Sequence, residues 1–211
     1  MHRHQLHLQL DDMVKTQSGL WITAPLRTLV DCVGLLRPEA AVCALDGALH
    51  AGVVTATDLT AAVARLSGTP GCRRVASAVS VADGRAEAPP ETLTRLLLLP
   101  VLPSLEPQVE LFDQQGRLVA RFDLGDRKRR LAVESDGKAA HSGPAMVAKD
   151  RRRDDRIEPY GWWTERVTWY EVRRQQTQTV RRILRRAERL GALGTAGAPA
   201  SIASGSGSLW R

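Results

Sequence analysis

The sequence predicts an α+β protein in which a small, mainly helical N-terminal region precedes a domain built on a four-stranded sheet. Up to about residue 85, apolar residues recur mostly at helical spacing. Beyond that point, runs rich in Val, Leu and Phe alternate with turn residues, and helical segments lie before, between and after them. We therefore expect a helical region over 1–85 and a second domain over 86–190. The Gly/Ala/Ser-rich tail, 191–211, is predicted to be disordered.

The N-terminal region is predicted to hold short strands followed by four helices. Strand-like runs, LHLQL and GLWIT, occur within residues 1–24. Pro25 and Pro38 suit the first turns of two helices. Thr55 and Asp58 have the spacing of a capping box, which would open a third helix. The fourth helix is expected in CRRVASAVSVAD.

The second domain is predicted to contain an antiparallel meander of three strands and a fourth strand that follows a helix. The meander strands are PQVELFD, GRLVARFDL and RKRRLAVESD, and turn residues separate them. Helices are expected in APPETLTRLLLL, in the basic stretch 144–159 and in the arginine-rich stretch 170–190. The fourth strand is WWTERVTW. Its tryptophans are expected in the core, with base stacking as the lesser alternative: Trp162, Trp163 and Trp169.

The whole chain has a net charge of +7, and its basic residues are concentrated in the second half. They occur in RKRR, in KDRRRDDR and as seven arginines between Arg173 and Arg189. A basic half beside a near-neutral half is typical of a nucleic-acid-binding domain joined to another unit. For the arginine-rich helix, a solvated face and a nucleic-acid contact remain alternatives. In KDRRRDDR, pairing at i,i+4 is expected to absorb part of the charge.

The sequence has no apolar run long enough to span a membrane and no apolar signal core at its N-terminus, so we expect a cytoplasmic protein. The three cysteines are odd in number and widely spaced. We expect reduced core thiols rather than disulfides or a zinc site: Cys32, Cys43 and Cys72. Three N-terminal histidines have a loose spacing that favours an exposed strand or a frayed end over a metal cluster: His2, His4 and His7.

Four acidic residues of the second domain mark a candidate metal site. Glu91 lies in the first turn of its helix, Asp123 closes one apolar strand, and Glu134 and Asp136 close the next. If those strands are neighbours, Asp123 lies beside the other two at one edge of the sheet. Two or three carboxylates suffice for Mg²⁺ or Mn²⁺, which can activate water for phosphodiester hydrolysis. His141 could transfer a proton or bind the metal. Solvated strand ends are the alternative.

Five segments occur in a characteristic order: PPETLTRLLL, PQVEL, VARFDL, LAVESDGKAAH and KDRRRDDRIEPYGWWTERVTW. Over these roughly 80 residues the chain resembles the very-short-patch-repair-like endonuclease domain, a branch of the PD-(D/E)XK nuclease superfamily, and the last segment is the most specific match. The resemblance implies a restriction-endonuclease-like fold, with a central mixed four-stranded sheet flanked by helices. It also implies a Mg²⁺- or Mn²⁺-dependent DNA endonuclease or nicking enzyme.

The resemblance also implies roles for individual residues. The catalytic set would be Glu91, Asp123, Glu134, Asp136, Lys138 and His141, with an acidic residue on the following helix, Asp150. Metal ligands would be Asp123, Glu134 and Asp136. The superfamily places a lysine where this chain has Asp136, so Lys138 is the candidate for its ammonium group. Arginines expected to hold phosphates without reading sequence are Arg151, Arg152, Arg153, Arg166, Arg173 and Arg174.

The N-terminal segments TAPLRTLVDCVGLL, ALDGALHAGVVTATDLTAAVARL and GCRRVASAVSVADGRAE resemble a region found before this nuclease-like domain in actinobacterial proteins related to abortive-infection (AbiE-type) antitoxins. Such proteins commonly begin with a winged helix-turn-helix, and we expect a shortened version here or an upstream start. A toxin or regulatory partner is implied. The alternative function is therefore a non-catalytic nucleic-acid-binding regulator on a nuclease-derived fold, which Asp136 favours, whereas Asp123 and Glu134 favour the enzyme.

Overall fold

The computed structural model describes residues 8–136 and 144–194 and has the predicted α+β class. The chain divides into two compact units, with the division between Glu87 and Ala88. The N-terminal histidines, Lys138 and His141 lie outside the described residues. No helix within the described ranges is both long enough and apolar enough to cross a membrane.

From residue 8 onward, the first unit consists of a short hairpin and four α-helices. Its elements are a 3-10 turn over Leu10–Asp12, β1 (Met13–Lys15), β2 (Trp21–Thr23), α1 (Pro25–Leu35), α2 (Pro38–His50), α3 (Ala56–Arg65) and α4 (Cys72–Ser80). Strands β1 and β2 pair antiparallel. The strand predicted in GLWIT is confirmed, whereas Leu10, at the end of LHLQL, starts the 3-10 turn instead of lying in a strand.

Local sequence signals explain how these helices start. Proline occupies the first turn of α1 and of α2. The predicted capping box is confirmed, because Thr55 Oγ1 accepts from the Asp58 N–H at 3.1 Å while the Thr55 N–H donates to Asp58 Oδ2 at 2.9 Å. The prediction of core thiols is wrong for Cys32, which is exposed on α1, and the other two cysteines are only half-buried.

The described residues of the second unit, 88–136 and 144–194, form four strands and four α-helices. Its elements are α5 (Pro89–Leu98), β3 (Glu106–Phe112), β4 (Leu118–Asp126), β5 (Leu131–Asp136), α6 (Pro144–Ile157), a 3-10 turn over Glu158–Tyr160, β6 (Trp163–Thr168), α7 (Trp169–Arg174) and α8 (Gln176–Gly194). The sheet order is β3-β4-β5-β6. The antiparallel meander is confirmed, and β6 joins β5 in parallel.

The parallel pair needs a crossover, which α6 supplies. Its register runs from Leu131 beside Trp163 to Asp136 beside Thr168, so both strands end at the same end of the sheet. The antiparallel neighbour β4 runs in the opposite direction, and its Leu124 pairs with Val133. The last residues of β5 and β6 and the middle of β4 therefore meet at one end of the sheet.

One hydrophobic cluster joins α6 to the sheet. Buried Val109, Ala120, Phe122 and Ala132 pack with Ile157 of α6. Trp162 lies against this cluster, and its ring stacks on Phe122 with centroids 4.7 Å apart. The core placement predicted for Trp162 is confirmed, although its ring is only partly buried. The same prediction is wrong for Trp163 and Trp169, which are 45% and 43% exposed because they lie at the start and just past the end of β6.

The arginine-rich segment forms two helices instead of one. Trp169 is the first residue of α7 and not part of β6, because Thr168 and Glu171 form a capping box that turns the chain into a helix there. Gln175, with φ −129° and ψ 33°, separates α7 from α8. Helix α8 continues to Gly194, so the predicted start of a disordered tail at residue 191 is wrong by several residues.

Gly125 offers a test of the close contact between β3 and β4. A Cβ at this position would lie 2.7 Å from Val109 Cβ, in the sheet core. We expect Gly125→Ala to lower the free energy of unfolding of the second unit by about 1–3 kcal/mol, because overpacking there displaces backbone and side chain together. Urea denaturation followed by tryptophan fluorescence measures the effect.

The matched control is Gly191→Ala in α8, where the added Cβ would meet only Arg129 Nε at 3.8 Å. Since alanine favours helix more than glycine does, we expect unchanged stability or a gain of up to about 1 kcal/mol. Equal destabilisation by both substitutions would contradict the packing described for Gly125.

Candidate functional site

Three of the predicted acidic residues, Glu91, Asp123 and Glu134, lie within electrostatic reach of one another in the second unit. The carboxyl group of Glu134 is influenced by the negative charges of both Asp123 and Glu91. These residues come from α5, β4 and β5 respectively. The prediction that β4 and β5 are neighbours is confirmed.

Asp123 is held where the β4–β5 ladder ends. The last residue pair of the ladder toward the end of β5 is Leu124 with Val133. Beyond that pair, Asp123 Oδ2 accepts the Ser135 N–H at 2.7 Å. The carboxylate thus takes the place of a backbone acceptor, which fixes its position beside the last residues of β5. The hydroxyl oxygen of Ser135 is buried and has no hydrogen-bond partner among the described residues.

Gln108 adds an unusual backbone conformation to this site. It lies in β3 between Pro107, which pairs with Leu124, and Val109, which pairs with Phe122. The ladder therefore skips Gln108 at the level of Asp123. Its φ of 52° falls in the left-handed region, which a residue other than glycine rarely adopts within a strand.

The amide of Gln108 is only half satisfied. Its Nε2 donates to Glu91 Oε2 at 3.1 Å, which ties β3 to the first turn of α5. Its Oε1 is buried and has no hydrogen-bond partner within the described ranges. A buried carbonyl oxygen without a donor is costly, and such atoms are characteristic of positions that await a ligand or water.

Glu134 is the most perturbed acid of the site. Burial, together with the negative charges of Asp123 and Glu91, raises the pKa of its carboxyl group to about 7, against the opposing effects of Arg153 and Arg166. Arg153 Nη2 of α6 donates directly to Glu134 Oε1 and also to the Arg121 carbonyl. The acid is therefore poised to change charge near neutral pH.

Two of the arginines predicted to bind nucleic acid contact carboxylates of the fold. Arg153 pairs with Glu134, and Arg166 of β6 donates to both oxygens of Asp154, at 2.8 and 3.0 Å. These contacts join α6 to the sheet. Arg151 and Arg152 are exposed on α6, as a phosphate contact would require.

The donor set at this site fits a hard divalent cation in type. Asp123 and Glu134 offer carboxylate oxygens, and Gln108 offers a buried oxygen that lacks a donor. Within residues 8–136 and 144–194, however, no three His, Cys, Asp or Glu side chains are grouped closely enough to hold a metal ion. The side chains of Asp136 and Asp150 lie outside what is described, as do Lys138 and His141.

A second cluster of charges fastens α8 to β6. Glu165 of β6 is buried and accepts from Arg182 and from Arg186, the latter at 3.0 Å. Arg182 also donates to Glu171 at 2.8 Å. The guanidinium of Arg186 lies 4.0 Å from the ring centroid of Trp163. Two of the seven arginines are therefore structural.

The other five arginines of α7 and α8 are exposed: Arg173, Arg174, Arg181, Arg185 and Arg189. The acids of this segment are Glu171, which pairs with Arg182, and the exposed Glu188. The exposed surface of the two helices therefore has an excess of positive charge. Both predicted contacts in this segment, Arg173 and Arg174, belong to that surface.

The described residues thus define an α+β protein whose second unit gathers carboxylates and arginines at one end of a mixed sheet. The chain is 30% identical over 185 residues to two proteins of Mycobacterium tuberculosis: the uncharacterized protein Rv2248 (strain ATCC 25618 / H37Rv) and the uncharacterized protein MT2308 (strain CDC 1551 / Oshkosh). The match covers 87% of this chain and 68% of each relative, so the chain belongs to their family. No family model and no solved structure matches it.

Sequence reasoning missed two members of the site. Gln108 lies inside the PQVELFD run, where it reads as an ordinary strand residue, and nothing in the sequence signals its positive φ. Arg153 was expected to contact phosphate, although a buried acid such as Glu134 implies a nearby cation. That requirement could have directed attention to the arginines of the following helix.

The raised pKa of Glu134 makes stability depend on pH. The folded protein holds this proton up to about pH 7, whereas the unfolded chain releases it near the ordinary glutamate pKa of 4.5. The contribution of Glu134 to the free energy of unfolding therefore falls as pH rises from 4.5 to 7 and is level above pH 7. Glutamine mimics the protonated acid. We therefore compare the free energies of unfolding of Glu134→Gln and wild type. We expect the difference, variant minus wild type, to increase by about 3 kcal/mol between pH 4.5 and pH 8.

Urea denaturation at both pH values, with EDTA present, measures this difference. Glu110→Gln, at an exposed position on β3, is the matched control for the loss of one negative charge. A difference between Glu134→Gln and wild type that stays constant from pH 4.5 to 8 would contradict the described environment of Glu134.

Adjacent arginines of α8 should behave differently on substitution. Arg182→Ala removes one of the two cations bound to buried Glu165, and we expect it to lower the free energy of unfolding by about 2 kcal/mol. Arg181→Ala changes an exposed side chain on the same helix and should alter stability by less than about 0.5 kcal/mol. Thermal and urea denaturation compare the two, and similar losses would refute the assignment of Arg182 to a structural role.

Proposed function

We propose that this protein is a metal-dependent DNA endonuclease or nicking enzyme that hydrolyses phosphodiester bonds in the cytoplasm. The observation that supports the proposal best is the convergence of Glu91, Asp123 and Glu134 on one end of the sheet, beside a buried amide oxygen of Gln108 that lacks a donor. The resemblance to very-short-patch-repair-like nucleases points to the same residues.

Asp123 and Glu134 would hold Mg²⁺ or Mn²⁺, with Gln108 as a candidate third oxygen donor. A bound divalent cation would supply a hydroxide nucleophile and neutralise charge that develops on the phosphate. Glu91 would orient Gln108 through the hydrogen bond that joins them. Because Glu134 must be ionised to bind a cation, metal affinity should rise with pH up to about 7 and level off above it.

The guanidinium of Arg153 lies against the Glu134 carboxylate, so a metal ion at Glu134 would have to share that carboxylate with Arg153 or displace it. The two side chains form an ion pair. A cation held by this carboxylate would take over that role, and the guanidinium of Arg153 would then be available to a phosphate. Arg151 and Arg152, exposed on the same helix, would hold neighbouring phosphates without reading base sequence.

The ion pair between Arg153 and Glu134 also supports a second candidate function, a non-catalytic nucleic-acid-binding regulator or antitoxin-like protein. A carboxylate that is already neutralised by an arginine has less need of a metal. Under this alternative, the acids would be remnants of a nuclease site, and the exposed arginines would bind nucleic acid without cleavage. A toxin or regulatory protein would then be a partner.

Asp123→Asn tests the proposed enzyme. The amide still accepts the Ser135 N–H but loses the charge that a cation needs, so we expect Mg²⁺ or Mn²⁺ binding to disappear in calorimetric titration. Nicking of supercoiled plasmid should fall at least about a hundredfold. DNA binding in EDTA should persist or tighten, because a negative charge near phosphate has been removed.

Glu110→Gln is again the charge-matched control and should leave titration and nicking unchanged. Absence of plasmid cleavage by wild type with either metal, together with retained DNA binding, would contradict the enzyme and favour the regulator. If Asp123→Asn lost both nicking and DNA binding while it kept a cooperative unfolding transition, the assignment of Asp123 to the metal would be contradicted.

A further inference from the structure

We propose that the start of α7 and the joint between α7 and α8 bind an unpaired DNA segment, by stacking bases on Trp169 and Tyr170 and holding phosphates at Arg173 and Arg174. This inference rests on the proposed function in one respect: it names single-stranded or locally unpaired DNA as the substrate class of the site on β4 and β5.

The surface lies at the same end of the sheet as the acidic residues. Asp136, the last residue of β5, pairs with Thr168, the last residue of β6, and Trp169 follows directly. Glu134 is two residues back along β5, beside Arg166. Since a strand rises about 3.3 Å per residue, the start of α7 lies within the length of a few nucleotides of the candidate metal site.

Two aromatic side chains are exposed there. Trp169 is 43% exposed and Tyr170 is 59% exposed. By contrast, Trp162, which lies just before β6, packs against the hydrophobic cluster. The guanidinium of Arg173 lies 5.7 Å from the ring centroid of Trp169. An exposed tryptophan beside an arginine forms a platform on which a nucleobase can stack.

The joint between α7 and α8 provides a site for the backbone of that nucleotide. An open cavity of about 320 Å³ is lined by Arg173, Arg174, Gln175, Gln176, Thr177 and Gln178. This lining contains two cations and four uncharged polar side chains, and no carboxylate. Such a set suits an anion with several acceptor oxygens, as a phosphodiester has.

Internal charge pairing leaves this surface positive. Glu171, the acid within α7, accepts the Thr168 N–H at the start of the helix and forms an ion pair with Arg182. Arg182 and Arg186 likewise form ion pairs with Glu165. Arg173 and Arg174 are exposed, and neither forms an ion pair within residues 8–136 and 144–194. An anionic partner is therefore favoured over a neutral or cationic one.

The combination selects unpaired DNA over duplex. In a duplex the bases are stacked on each other and offer no face to a side chain, so a protein that holds only phosphates binds both forms. Stacking rewards a base that is already out of a helix, and each stacked base contributes about tenfold or more in affinity.

The test compares binding of the full chain to a fluorescein-labelled oligothymidylate of about 16 nucleotides and to a duplex of equal length, by anisotropy in EDTA. We expect wild type to bind the single strand at least about tenfold more tightly. The double variant Trp169→Ala/Tyr170→Ala should lose at least about tenfold on the single strand and less than about threefold on the duplex. Trp21→Ala, at a 59% exposed tryptophan of β2, is the matched control and should change neither.

A second measurement covers the case in which the double variant does not fold. Trp169→Phe keeps a ring and should keep the single-strand preference, but the quenching of tryptophan fluorescence on oligothymidylate binding should fall by at least half. Equal wild-type affinity for both DNAs, or quenching that is unchanged in Trp169→Phe, would overturn the inference. Because EDTA excludes cleavage, a protein that shows the preference but never cuts DNA contradicts the proposed nuclease alone.

Discussion

The parallel pairing of β5 with β6 is the constraint on which the rest of the second unit depends. A parallel pair cannot be closed by a tight turn, so the chain must leave the sheet through α6 and return. That crossover brings Arg153 to Glu134 and Asp154 to Arg166, and it places Ile157 in the core. The same pairing makes β5 and β6 end together, so that α7 begins beside the acidic residues.

Charge compensation then decides which side chains remain available. Two acids of the sheet have arginines from neighbouring helices: Glu134 has Arg153, and Glu165 has Arg182 and Arg186. Burial and the negative charges of Asp123 and Glu91 nevertheless raise the pKa of Glu134 to about 7, so the arginines beside it compensate its charge only in part. The incomplete compensation separates the candidate site from the cluster on β6, whose acid has two cations.

The sequence allowed much of this to be predicted, because the signals were local. The meander followed from apolar runs and turn residues, and the Thr55–Asp58 cap followed from spacing. The convergence of Asp123 with Glu134 followed once the two strands were taken as neighbours. What could not be predicted depended on tertiary contacts: the left-handed φ of Gln108, the partner of Arg153 and the exposure of Cys32. The start of α7 at Trp169 was missed because its N-cap, Thr168, lay inside an assumed strand.

The two arginine series of α8 have a consequence for insertions and deletions. The exposed series, Arg181, Arg185 and Arg189, and the buried-facing pair, Arg182 and Arg186, are each spaced by four residues and differ in phase by one. One residue turns a helix by about 100°. A single insertion or deletion between Gln175 and Arg181 that preserved the helix would therefore exchange the two series or turn both away from Glu165. Related chains should keep the length of this joint fixed even where its residues differ.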